Sequence, residues 1–185
     1  MTPTERYVAL SYLWGSSSYG ISRTVRANLD KLERGIGIQE LDRTFRDAVI
    51  VTHQLGIRYL WIDALCIVQD NREDFMKEVR DMDRIFSNAY CTIAASSAPD
   101  IADGFLTPQR SRAVVPMKEV DGTPISVCEL IDDFQQDVDG APLSRRGWVL
   151  QERALSRRTI FFTPAQTYWQ CGDGIRCGTL TKLSQ

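Results

Sequence analysis

Tyr7-Val8-Ala9-Leu10-Ser11-Tyr12 is a run of aromatic, β-branched and small residues, closed by Trp14-Gly15. Such a short run, apolar with almost no alternation, reads as a strand buried on both faces, the habit of parallel sheets covered by helices. A parallel partner requires a crossover helix and a second buried strand further along the chain. Residues 16–20 are loop by composition. Val25, Leu29 and Leu32 then predict a helix over 24–34, with Gly35 as its C-cap. A longer helix is predicted over 39–55, because Leu41, Phe45, Ala48, Val49, Thr52 and Leu55 form one continuous face, ended by Gly56.

Tyr59-Leu60-Trp61-Ile62-Asp63-Ala64-Leu65-Cys66-Ile67 is the second apolar run of strand length and reads as a central strand. Asp70-Asn71-Arg72-Glu73 resembles a capping box, opening a helix that turns Phe75, Val79, Met82 and Phe86 inward. A third strand is predicted over 90–95. Strand, helix, strand, helix, strand implies βαβ units, hence an α/β fold with a mainly parallel sheet flanked by helices.

Residues 97–142 break that rhythm. Four of the seven prolines fall within 96–140, and a short strand pair is predicted at 113–117 and 125–130. Between 121 and 141 stand six acids (Asp121, Glu129, Asp132, Asp133, Asp137, Asp139) and no base. This stretch reads as an insertion of short strands and loops. A helix over 146–155 and a strand pair at 159–163 and 166–171, joined by Pro164-Ala165, complete the chain.

The 185 residues carry 22 Lys and Arg against 24 Asp and Glu, for a formal charge of −2. That length fits one domain spanning 1–185. The balance lacks the basic excess of a general nucleic-acid binder. Five cysteines, odd in number and widely spaced, do not form a secreted disulfide framework. Neither an N-terminal leader nor a membrane span is read from the sequence, since the longest apolar stretch is short and contains Asp63. A soluble, intracellular, cytoplasmic protein is expected. No Gly-Lys phosphate loop and no G-x-G-x-x-G after a strand occur. Cys171-x5-Cys177 lacks the second ligand pair of a zinc site, so no metal is expected. The single histidine, His53, sits mid-helix and reads as packed or surface-exposed.

Two features carry chemistry. Asp63 interrupts an apolar run, and a buried carboxylate is costly unless paired. It is either a satisfied acid holding a loop, or a polar group at the C-terminal edge of a strand, where open α/β sheets bind ligands. Gln69 and Asp70 share those alternatives, with helix capping favoured for Asp70. The second feature is the segment 144–158, in which five arginines surround Glu152. On a helix Trp148 and Glu152 share a face. Glu152 either forms salt bridges to Arg145 or Arg153, or lines a pocket as a carboxylate beside an aromatic platform.

Three blocks resemble the signature blocks of the fungal heterokaryon-incompatibility (HET) domain. They are Ala9-Leu10-Ser11-Tyr12-Leu13-Trp14-Gly15, then Trp61-Ile62-Asp63-Ala64-Leu65-Cys66-Ile67-Val68-Gln69-Asp70, then Arg146-Gly147-Trp148-Val149-Leu150-Gln151-Glu152-Arg153. The resemblance covers residues 7–156 and includes the linking segments Thr44-Phe45-Arg46-Asp47-Ala48 and Arg84-Ile85-Phe86-Ser87-Asn88-Ala89. It implies a trigger of cell death in fungal self/non-self recognition, working with a NOD-like receptor or another incompatibility protein. HET domains are in turn distantly similar to TIR domains, which implies a TIR-like (flavodoxin-like) sheet.

TIR domains that cleave NAD+ place a glutamate four residues after a tryptophan, and Trp148 and Glu152 match that spacing. Val149 departs from the cysteine that often follows the TIR tryptophan, and the acidic insertion departs from a minimal TIR domain. The resemblance implies Glu152 as catalytic carboxylate, with NAD+ or a related nucleotide as substrate rather than cofactor. Ser11, Tyr12, Trp14, Asp63, Arg145, Arg146, Trp148 and Gln151 are the implied substrate-binding residues. Assembly into a homo-oligomer on activation is implied as well. The alternative is a non-enzymatic signalling module acting by self-association or partner recruitment.

Overall fold

In the computed structural model, residues 5–15, 23–108, 113–117, 126–128 and 132–178 are described. The predicted loop at 16–20, together with Asp121 and Glu129 of the acidic stretch, lies outside them. The first run forms β1 (Tyr7–Ser11), whose residues after Tyr7 are all buried. Next come α1 (Leu29–Glu33), a 3-10 turn (Ile38–Glu40), α2 (Arg43–Gln54), β2 (Tyr59–Trp61), one helical turn α3 (Asp63–Cys66), α4 (Arg72–Asn88) and β3 (Cys91–Ala94). A separate antiparallel pair, β4 (Val114–Pro116) and β5 (Ser126–Cys128), comes after β3. After a π-helical turn (Gln135–Asp139) and a 3-10 turn (Pro142–Arg145) come α5 (Gly147–Leu155), β6 (Arg158–Phe162), β7 (Thr167–Cys171) and β8 (Gly174–Cys177).

The main sheet has six strands in the order β2-β1-β3-β6-β7-β8. β2, β1, β3 and β6 run parallel, while β7 and β8 add antiparallel at one edge. The fold is α/β, with the parallel strands ordered as in doubly wound sheets whose order reverses beside the first strand. Alternation along β1 assigns the faces. Val8 and Leu10 pack with Phe45, Ala48 and Val51 of α2 on one side. Ala9 packs with Trp61, Ile67 and Phe86 on the other. Ser11 is two residues beyond Ala9 and therefore points to the α4 side.

Several boundaries differ from the sequence reading, each for a local reason. The run 59–67 is a short edge strand followed by a helical turn, not a central strand. Its continuous apolarity arises because the turn also buries Ile62, Ala64 and Ile67. The helix predicted over 24–34 is confined to Leu29–Glu33, because Thr24 bridges Val68 in parallel and its backbone is bonded to Ala64 and Gln69. The helix predicted over 39–55 breaks at Leu41, which is extended and buried. Asn71 caps α4, accepting from the Glu73 amide, whereas Asp70 accepts from the Arg26 amide instead.

The 97–142 stretch is not a pure appendage, since Ala98, Ile101 and Phe105 join the main core. Asp47 holds that return, its carboxylate accepting from the Phe105 and Leu106 amides at 2.7 and 2.9 Å. Gly104, at φ 74°, turns the chain where any Cβ would strike Asp47 and Arg43. β8 has no counterpart in the sequence reading. Its Cys177 lies opposite Tyr168 in the register and is buried. His53 is exposed on α2.

Candidate functional site

The C-terminal end of β1, the turn after β2, and the faces of α4 and α5 enclose a cavity of about 210 Å³. Trp14, Asp63, Gln69, Arg146, Trp148 and Glu152 supply its polar and aromatic lining. Ile67 with Phe75, Val79 and Met82 of α4 forms its apolar wall. It lies at the carboxyl edge of the parallel strands beside β1, where ligands of open α/β sheets bind.

Glu152 enters from α5, one turn after Trp148, so both line the cavity. Ser11 Oγ donates to Glu152 Oε2 at 2.5 Å, which joins the end of β1 to α5. Burial pushes the Glu152 carboxyl up to about 7, and the negative charge of Asp63 adds to the rise. The Ser11 hydrogen bond and the Arg146 guanidinium pull the other way. A carboxyl poised at neutral pH in a cleft, beside a second carboxylate, is the arrangement expected where acid–base or charge-stabilising chemistry occurs.

Asp63 sits at the start of α3 and accepts from Tyr12 Oη at 2.6 Å and from Trp14 Nε1 at 3.1 Å. Both sequence alternatives for Asp63 therefore hold at once: it is satisfied, and it faces the cavity. Burial first, and Asp63 second, raise the Tyr12 hydroxyl well above its ordinary range, so it remains a proton donor. The Tyr12 and Trp14 rings are near-parallel at 6.4 Å, which orders the cavity's aromatic wall. Gln69 Nε2 donates to the Asp63 and Ile67 carbonyls at 3.0 and 3.1 Å, closing the turn beneath. Arg146 Nη1 donates to the Tyr12 carbonyl at 2.5 Å, tying the exit of β1 to the start of α5.

Of the residues singled out from sequence, Trp14, Asp63, Arg146, Trp148 and Glu152 line the cavity, while Ser11 and Tyr12 hold its two carboxylates. Arg145 and Gln151 are exposed and lie outside the lining. The salt bridge considered between Glu152 and Arg145 or Arg153 does not form, because Arg153 Nη1 reaches Asp139 at 2.5 Å. The apolar wall was missed. Phe75 and Val79 have helical core spacing, yet Phe75 is 42% exposed and faces the cavity, while Phe86 three turns on is buried. Spacing marks a face of a helix and is silent on whether a neighbour covers it.

Comparison with known proteins settles the family. The sequence profile of the family described as Heterokaryon incompatibility protein (HET) matches residues 7–152. The chain belongs to the HET family. Ser11, Asp63, Arg146, Trp148 and Glu152 all fall inside that match, so the cavity is built from the HET domain itself. Heterokaryon incompatibility protein 6, OR allele, of Neurospora crassa is 33% identical to this HET domain over 95 residues. That match covers 49% of the chain and 14% of the Neurospora protein's length. No solved structure matches the chain. No helix among the described residues is long and apolar enough to cross a membrane.

Proposed function

We propose that this HET domain is a cell-death effector of fungal incompatibility that hydrolyses the N-glycosidic bond of NAD+, with Glu152 as its essential carboxylate. The carrying observation is the Glu152 carboxyl, raised to about 7 and hydrogen-bonded by Ser11 in a cavity walled by Trp14 and Trp148. In NAD+ the nicotinamide nitrogen bears the positive charge. When the C1′–N bond breaks, its electron pair neutralises that ring, and nicotinamide departs without a proton from a general acid. What remains to be stabilised is an oxocarbenium-like ribose, for which one fixed carboxylate in a water-poor site is suited. Water then adds to C1′, giving ADP-ribose and a proton.

The cavity's volume supports a division of the substrate. Pockets that enclose a drug-sized ligand run from roughly 300 to 1,000 Å³, so a cavity of about 210 Å³ is too small to enclose all of NAD+ and suits one end of that molecule. Trp14 or Trp148 offers a stacking face, and Asp63 adds negative potential that favours a cationic ring. Assembly into a homo-oligomer, activation through a NOD-like receptor or other incompatibility protein, and kinship with TIR enzymes belong to the same proposal.

A second reading, a signalling module without catalysis, is favoured by Trp148 and Leu150, which are 54% and 73% exposed on α5. Large exposed apolar side chains are anchors for partners. Incubation of the concentrated chain with NAD+, NADP+ and ATP, followed by chromatography, separates the two. Nicotinamide release is expected from NAD+. An assembled sample that leaves all three nucleotides intact would support the signalling reading instead.

A further inference from the structure

α4 has two working faces. One carries Phe75, Val79 and Met82 into the cavity. The other, with Arg26 beside it, borders an open groove of about 840 Å³ that presents Arg72, Lys77 and Arg80 around Met76. Glu73 and Asp81 are the acids of that lining. Arg26, Arg72, Lys77 and Arg80 are all exposed, and no described residue pairs with the guanidinium groups of Arg26, Arg72 or Arg80. Lys77 lies 3.9 Å from Glu78, so this concave face, with exposed Met76 in its lining, presents three arginines without a partner among the described residues.

The complementary surface is on the same chain. Residues 121–141 hold six acids and no base, and the described part of that stretch is rigidly held. Tyr168 Oη donates to Asp137 at 2.6 Å and accepts from the Asp133 amide at 3.1 Å, while Gln166 Nε2 bonds Asp132 at 2.5 Å. The carboxylates are thus presented pre-ordered, so little entropy is lost on docking. They also crowd one another: after burial, the charges of Asp133 and Asp132 are what lift the Asp137 carboxyl above its ordinary range. Asp133 remains exposed, and Asp139, exposed as well, is paired with Arg153 Nη1 at 2.5 Å. No ion pair among the described residues links this surface to the α4 groove.

We propose that the outer face of α4 docks the acidic 132–139 surface of a second copy of this chain, head to tail. The contact names the surfaces of the assembly element in the functional reading above, and it does not depend on nucleotide cleavage. A head-to-tail contact between two different patches leaves one of each free at the ends, so it propagates into a ring or filament rather than stopping at a dimer. It also places a partner on the helix whose opposite face walls the cavity, which couples assembly to the site.

Charge exchange tests this without reference to activity. Light scattering and sedimentation of the purified chain are compared at about 0.05 M and about 0.5 M salt, conditions that change the reach of surface charges several-fold. Self-association at low salt, with its apparent Kd weakened by about tenfold or more at high salt, is expected. R72E/R80E reverses the groove, and D133K/Q136K/D139K, at three exposed positions, turns the acidic surface net positive. Each alone is expected to remain monomeric with an unchanged far-UV spectrum. Their equimolar mixture is expected to assemble, since both surfaces then meet opposite charge. Wild-type chain that stays monomeric at low salt, single variants that assemble like wild type, or a folded mixture that fails to recover would each overturn the proposal. So would a monomer that binds only an added polyanion such as heparin, because the groove's occupant would then be another molecule.

Discussion

Glu152 is held in a state that costs stability. Its carboxyl is raised from 4.5 to about 7 by burial. Between those values the folded chain binds more protons than the unfolded chain, so stability falls as pH rises through that window and the full penalty applies above it. Glu152→Gln keeps the shape and an acceptor for Ser11 while removing the charge. Thermal unfolding of this variant is therefore expected near the wild-type midpoint at about pH 4 and above it at about pH 8, by roughly 1–3 kcal/mol. A lower midpoint at pH 8 would contradict the burial argument.

The ionised carboxylate is the form that stabilises an oxocarbenium centre. The kcat/KM for nicotinamide release should accordingly rise with pH on an acid limb centred near 7. Ser11 acts on that limb, because its hydrogen bond favours the ionised form. Ser11→Ala should move the limb to higher pH, and an unmoved profile would remove Ser11 from the role given to it.

At the scale of elements, the 132–139 segment depends on one side chain of β7. Tyr168 is fully buried, its ring meets Phe134 edge to face at 5.3 Å, and its hydroxyl joins Asp137, Gln166 and the Asp133 amide. Tyr168→Phe leaves those groups without their common partner and is expected to destabilise the chain by about 1–3 kcal/mol in denaturant unfolding. Loss of amide-exchange protection should concentrate in 132–139.

The elements most legible in the sequence were β1, β3 and α5. Near-continuous apolar runs and one-face spacing are direct consequences of a buried parallel strand and a helix lying on a sheet. The run 59–67 misled because a buried helical turn and a buried strand look alike in hydrophobicity; Asp63, which opens the turn, was the only mark of the boundary. β8 and the Tyr168 network were not legible. A four-residue antiparallel addition carries little pattern, and a polar network is defined by neighbours far apart in sequence.

At the scale of the molecule, the sheet order brings three distant segments together: the end of β1, the turn after β2 and the start of α5. Trp148 and Glu152 were readable as site partners because i, i+4 residues share a helix face. The bond from Ser11 to Glu152 across 141 positions required the fold. Arg145 and Gln151 flanked the same motif, but one lies in the turn before α5 and the other is rotated about 100° from Glu152, so neither reaches the cavity.

The central claim is that Glu152 in this cavity breaks the nicotinamide–ribose bond, and it is tested most directly by initial rates of nicotinamide release from NAD+. Concentrated wild-type chain and Glu152→Gln are compared under identical conditions, with the fold of each checked by circular dichroism. The account predicts release by wild type and a loss of about 100-fold or more in a fully folded variant. Equal rates for the two proteins, or no release by assembled wild type, would contradict it.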